Sequence, residues 1–173
     1  MNKAPVLSCC LTYGFETSDS FSIARLLERM LRVNFDMSDR PDMGGKVYEF
    51  KSWTANVGEL ESVLLCPNYV DGFGWKEPAF KNCLLLSEIF WQTTNLLDLG
   101  QLAADVEVDN DPRIHLIYYE VIGDMFGDGI IHQLRREFPP NERELRWDSH
   151  FKDFKAEDEE DDFDDEETSK PEE

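Results

Sequence analysis

The residues of this chain that could do chemistry are few, and their spacing ties little together. There are three histidines, His115, His132 and His150, and none stands at a spacing that links it to a nucleophile and an orienting acid. Four cysteines, Cys9, Cys10, Cys66 and Cys83, contain no CxxC pair, so neither a zinc site nor a redox dithiol is expected. Cys9 and Cys10 are adjacent and point to opposite faces if they lie in a strand. Buried free thiols are the expectation.

Two further segments have the composition of a site and lack its logic. GDMFGDG has Gly123, Gly127 and Gly129 but no lysine, and Asp124 and Asp128 oppose a phosphate. In DVEVDND the acids Asp105, Glu107, Asp109 and Asp111 alternate, so an extended backbone projects all four carboxylates from one face. The match to an EF-hand fails: counted from Asp105, Asn110 stands where glycine is needed and Leu116 where a bidentate glutamate is needed. The segment reads as a solvated acidic loop or a ridge that meets a basic partner. No catalytic residue, metal ligand or cofactor is expected.

Aromatic residues in polar surroundings carry more information. NYVDGFGWKEP sets Tyr69, Phe73 and Trp75 among glycines, prolines and the acid Asp71. Large rings in such a loop form either a lid on the core or an exposed contact patch, and Tyr and Trp dominate interface energies. Together with Trp53 they are expected to form a partner-binding surface with an apolar centre and an acidic rim. Near the C-terminus Phe151, Phe154 and Phe163 punctuate a run of acids, the composition of a motif that docks rings into a pocket while carboxylates engage surrounding cations.

Net charge narrows the function classes. The chain has 173 residues with 37 Asp and Glu against 17 Lys and Arg, a formal net charge of −20. Such a field repels nucleic acid and anionic lipid, so direct phosphate grip is excluded. A hydrophobic fraction of 41% is that of a folded domain. From Asp148 to Glu173 there are fourteen acids and three lysines, and like charges at every spacing favour a hydrated, extended chain. The division is therefore a single α+β globular domain over 1–147 and an acidic disordered tail over 148–173.

The elements follow from periodicity. Residues 6–15 read as a strand. Beyond a cap at Ser18, Asp19 or Ser20, the residues Phe21, Ala24, Leu27, Met30 or Leu31, and Phe35 recur at helical spacing. MSDRPDMGG reads as a loop, and residues 46–66 as a hairpin with its turn near Asn56 to Gly58. AFKNCLLLSEIFWQTTN, after Pro78, reads as a buried helix, and a shorter amphipathic piece contains Leu99, Leu102, Ala103 and Val106. RIHLIYYEVIG is a central strand, and GIIHQLRREF a last helix closed by Pro139. The order β-α-β-β-α-β-α predicts a ferredoxin-like sandwich with an extra C-terminal helix.

No apolar stretch reaches the roughly 20 residues of a bilayer span, and MNKAPVLSCCLTYG lacks a signal-peptide core, so a cytoplasmic protein is expected. The functional expectation is a non-enzymatic acidic protein that neutralises a basic partner, such as a toxin, nuclease or other nucleic-acid enzyme. In charge and size this matches immunity proteins, antitoxins and phage counter-defence proteins that mimic DNA. The alternatives are a chaperone-like adaptor whose tail shields a basic client while the body forms a homodimer, and a small-ligand domain or enzyme.

Overall fold

The computed structural model describes residues 6–94 and 113–138. Its helix, α1, spans Ser20–Leu31. The Asp19 carboxylate caps it by accepting from the Ser22 N–H at 3.1 Å and the Ser22 hydroxyl at 2.6 Å, which satisfies a donor that the first helical turn leaves without a partner. Ile23, Ala24, Leu27 and Leu31 are buried, whereas Phe21, at the start of the apolar stripe, is 60% exposed. The helix ends at Arg32, whose left-handed backbone (φ 55°) lets its N–H bond to the Glu28 carbonyl.

Seven strands form one sheet in the order β2-β3-β4-β7-β1-β8-β9, with every pairing antiparallel. They are β1 (Leu7–Phe15), β2 (Asp36–Arg40), β3 (Gly45–Lys51), β4 (Leu60–Pro67), β7 (Leu85–Thr93), β8 (Ile114–Gly123) and β9 (His132–Glu137). A separate small hairpin is formed by β5 (Tyr69–Val70) and β6 (Gly74–Trp75). The chain is thus an α+β protein dominated by one large sheet. Among the described residues no helix is long and apolar enough to cross a membrane.

The ferredoxin-like order and the C-terminal helix are corrected by this topology. The apolar run after Pro78 makes only a short 3-10 turn, Pro78–Phe80, and then β7. That strand lies between β4 and β1, and it is entered through the unbroken apolar run Leu84, Leu85 and Leu86, which periodicity cannot separate from a buried helix. The segment expected to be the last helix is β9. Leu134 packs against the core while Gln133, Arg135 and Glu137 face the other way, the period of a strand. Asp36–Arg40, expected as loop, pairs along β3 as a wholly exposed edge strand. The piece from Leu99 to Val106 and the domain boundary at 147 lie outside the described residues.

The two sheet faces carry different cores. On the helix face α1 covers Leu11, Tyr13, Phe15, Val63, Leu65, Ile89 and Tyr119. Burying each such side chain contributes roughly 1.5–3 kcal/mol. On the opposite face a smaller cluster joins Val47, Cys66, Phe80, Cys83, Leu86 and Ile117. All four cysteines are free and buried. Cys9 packs on the helix face and Cys10 lies beside Thr12 on the other, and burial pushes both thiols up to about 12.

Gly14 is where the loop bearing Cys83 presses on the sheet. A Cβ there would stand 2.7 Å from Cys83 Sγ and 2.9 Å from Ile117 Cδ1. Gly14→Ala should therefore destabilise the protein by about 1–3 kcal/mol through overpacking, measured as a lowered urea midpoint with an unchanged m-value.

Candidate functional site

The loop that holds the aromatic cluster is organised by one buried side chain, Asn68, which has no exposed surface. Its backbone N–H donates to Leu84 O at 2.9 Å, and its carbonyl accepts from Lys76 N–H at 2.8 Å. Its side-chain amide donates to Cys83 O at 2.8 Å and Phe80 O at 3.0 Å, and its side-chain oxygen accepts from Glu77 N–H at 2.9 Å. Asn68 thus satisfies backbone groups across the whole of 76–84 that no strand partner reaches. The chain between these anchors turns back as β5 and β6.

On that hairpin Tyr69 and Trp75 pack ring to ring, with centroids 5.2 Å apart and planes at 58°. Val70 is buried, and Phe73 at the tip is 87% exposed. Asp71, beside the tip, is exposed. The expected alternatives of lid and patch resolve into one hairpin that is anchored by Val70 and presents Phe73. The 3-10 turn Pro41–Met43 buttresses it. Gly44 (φ 96°) approaches so closely that a Cβ would lie 2.4 Å from the Tyr69 carbonyl oxygen, and Lys76 Nζ donates to Met43 O at 3.4 Å and meets Cys66 Sγ at 3.2 Å. Between turn and hairpin lies a cleft of about 320 Å³, bordered by Asp42, Val70, Phe73, Trp75 and Lys76. Arg40 grips the Asp42 carboxylate through Nε at 3.0 Å and Nη2 at 2.8 Å, and this holds Asp42 below the usual carboxylate range.

Trp53 does not join this patch, which corrects the expected grouping. It lies in the β3–β4 connection, at the end of that hairpin remote from Gly45 and Pro67. The eight residues of β4 separate the two sites by about 23 Å at roughly 3.3 Å per residue. Lys51 Nζ stands 4.2 Å from the Trp53 ring centroid. Asp105, Glu107, Asp109, Asp111, Phe151, Phe154, Phe163 and His150 lie outside the described residues.

The histidines have structural partners. His115 Nε2 is 3.0 Å from Glu16 Oε1, which the Asn82 side chain also contacts, so the trio ties β1, β8 and the loop before β7 together. His132, expected on a helix, opens β9 with Nε2 2.9 Å from Asp128 Oδ2. Among the described residues no group of three or more His, Cys, Asp or Glu side chains is placed to hold a metal.

One polar surface escaped the sequence reading. Across the face opposite α1, strand register aligns Glu49, Leu64, Glu88, Thr12, Tyr118 and Glu137 in one row, with Lys51, Phe90, Cys10, Glu120 and Arg135 in the next. Arg135 stacks over Tyr118 at 3.8 Å and lies 3.1 Å from Glu137. Burial raises the Glu77 carboxyl, and Glu137 and Glu88 push the same way against Arg135. The signal was the alternation of Ser87, Ile89 and Trp91 with Glu88 and Gln92, hidden because Leu84, Leu85 and Leu86 precede it.

Comparison with protein-family models, curated proteins and solved structures gave no match. The architecture is therefore described by its own features among the described residues: a seven-stranded antiparallel sheet, one α-helix on one face, and an anchored aromatic hairpin beside the other.

Asn68→Asp puts an acceptor where two carbonyls need a donor. It should cost about 2–4 kcal/mol and accelerate amide exchange across 69–84 before the rest of the sheet opens. Glu77 has the opposite bearing on stability. Its folded pKa is raised, so ionised Glu77 opposes folding above that pKa, and stability is gained as pH falls through it. Glu77→Gln should be more stable than the parent at pH 7, and the difference should vanish at a pH where both proteins carry a neutral side chain, followed by urea melts across pH.

Proposed function

We propose that this chain is an acidic binding protein that neutralises a basic protein partner, with aromatic anchors setting the lifetime of the complex and charge setting its rate of formation. The observation that carries the reading is Phe73. A ring 87% exposed costs apolar hydration, yet here it is held out on a hairpin fixed by Asn68 and backed by the Tyr69–Trp75 pair. Rings presented rigidly lose little entropy on binding, which suits them to act as hot spots. Asp71 supplies acid at the rim, beside Asp42, whose charge Arg40 already holds.

Charge distribution supports the same reading and assigns the parts. The described residues carry 16 acids and 11 basic residues, net −5, so −15 of the −20 belongs to residues 1–5, 95–112 and 139–173. On this proposal those segments steer a cationic target toward the patch, and the hairpin supplies contact. The partner class is a toxin, nuclease or other nucleic-acid enzyme whose basic groove is occluded, and binding in the cytoplasm without turnover is the mode of action. The same imbalance favours one second reading, an adaptor in which the tail alone shields a basic client and the body forms a homodimer.

A pulldown from the native host, eluted by a salt gradient, should return a predominantly basic protein released between low and moderate ionic strength. Phe73→Ser should weaken that complex about 30-fold, the equivalent of about 2 kcal/mol, mostly through faster dissociation. Replacing the acids of 157–167 by Asn and Gln in the full chain should slow association and leave dissociation nearly unchanged. Loss of all binding on that replacement, with none on Phe73→Ser, selects the adaptor. Recovery of no basic partner, together with turnover of a small compound, rejects both.

A further inference from the structure

At the far end of the sheet the β3–β4 connection is pinned at several points. Ser52 N–H donates to Glu61 O at 2.8 Å, Gly58 N–H to Gln92 O at 2.6 Å, and Glu59 N–H to Asn56 O at 3.0 Å. The Glu59 carboxylate in turn accepts the Asn56 N–H at 2.9 Å. This leaves a cavity of about 140 Å³ whose walls include Trp53, Asn56, Glu59, Glu61 and Gln92. A space that size is below the roughly 300 Å³ at which drug-sized ligand pockets begin, and suits the head of one side chain. Trp53 is 83% exposed, and among the described residues neither Glu59 nor Glu61 is ion-paired to a cation.

The chemistry of the walls selects the occupant. An indole face attracts cations through its quadrupole, and two carboxylates beside it supply counter-charge. The ring already demonstrates that preference, because the Lys51 ammonium sits 4.2 Å from its centroid. We propose that this cavity is a socket for one lysine or arginine side chain of the basic partner, and that Lys51 is an internal competitor that the incoming cation displaces. The inference rests on the partner being basic, as proposed above. It adds a second contact point about a strand length from Phe73, so one partner would bridge both ends of the β3–β4 hairpin.

The test uses the full chain, isotope-labelled, with the Trp53 indole N–H assigned by its loss in Trp53→Phe. The probes are the short peptide acetyl-Gly-Lys-Gly-amide and the same peptide acetylated on the lysine. The Trp53 signal should shift with the cationic peptide and stay still with the neutral one. Lys51→Met should tighten binding about tenfold by vacating the ring, while Lys46→Met, the same charge change at the opposite end of β3, should tighten it far less. Trp53→Leu should weaken binding about tenfold. A silent Trp53 signal overturns the socket, and so does an equal response of Lys51→Met and Lys46→Met, which leaves only bulk charge. A silent Trp53 alongside a successful basic pulldown sinks the socket alone; a failed pulldown alongside a responding Trp53 sinks the partner reading alone.

Discussion

Asn68 takes the place of a strand for the chain that follows β4. A backbone leaving a sheet must find partners for its N–H and C=O groups, and between Tyr69 and Leu84 regular pairing covers only the four residues of β5 and β6. One amide side chain, bonded on both its oxygen and its nitrogen, meets the carbonyls of Phe80 and Cys83 and the N–H of Glu77. Its enclosure strengthens those bonds and raises the penalty for losing any of them. The position of Phe73, the cleft beside it and the lodging of Cys83 against Gly14 all depend on that anchor.

The sheet divides the molecule's labour between its faces. The helix face is sealed by α1 and is apolar across β4, β7, β1 and β8. The other face is only partly covered by the loop carrying Phe80 and Cys83, and its rows mix carboxylates with Tyr118, Phe90 and Leu64. Thiols on both faces are buried, with Cys9 and Cys10 pushed up to about 12, so they serve as core residues in this fold.

Much of the architecture was legible locally and little of it globally. β1, α1, the β3–β4 hairpin and β8 follow from periodicity and capping because their surroundings agree with their own pattern. β7 was misread because the apolar run Leu84 to Leu86 hides the alternation that follows it, and β9 because Arg135 and Arg136 suit a helix end as well as they suit a strand edge. Once two helices become strands, the expected order loses its crossovers and the parallel pairs with them. In the candidate site, the residue types Tyr69, Phe73 and Trp75 were visible, while their anchor was not: Asn68 after Pro67 looked like a simple strand terminator. Trp53 was grouped with those rings, and only the three-dimensional course of β4 shows that it stands apart from them.

The irregular pairing between β1 and β8 has a bearing on how this sequence can drift over generations. Thr12 pairs with Tyr118 and Tyr13 with Leu116, so Ile117 is an extra residue. Because of it, Leu116 and Tyr119 both turn toward α1, and the carbonyl of Ile117 is free to accept the Phe138 N–H at 2.8 Å. Deleting one residue there would close the bulge and leave the inward and outward sets of both halves in place, at the cost of the Ile117 side chain in the smaller core cluster. Descendants of this gene can thus lose one codon at the midpoint of β8 without turning a core into a surface, a tolerance that the regularly paired stretches of the strand lack.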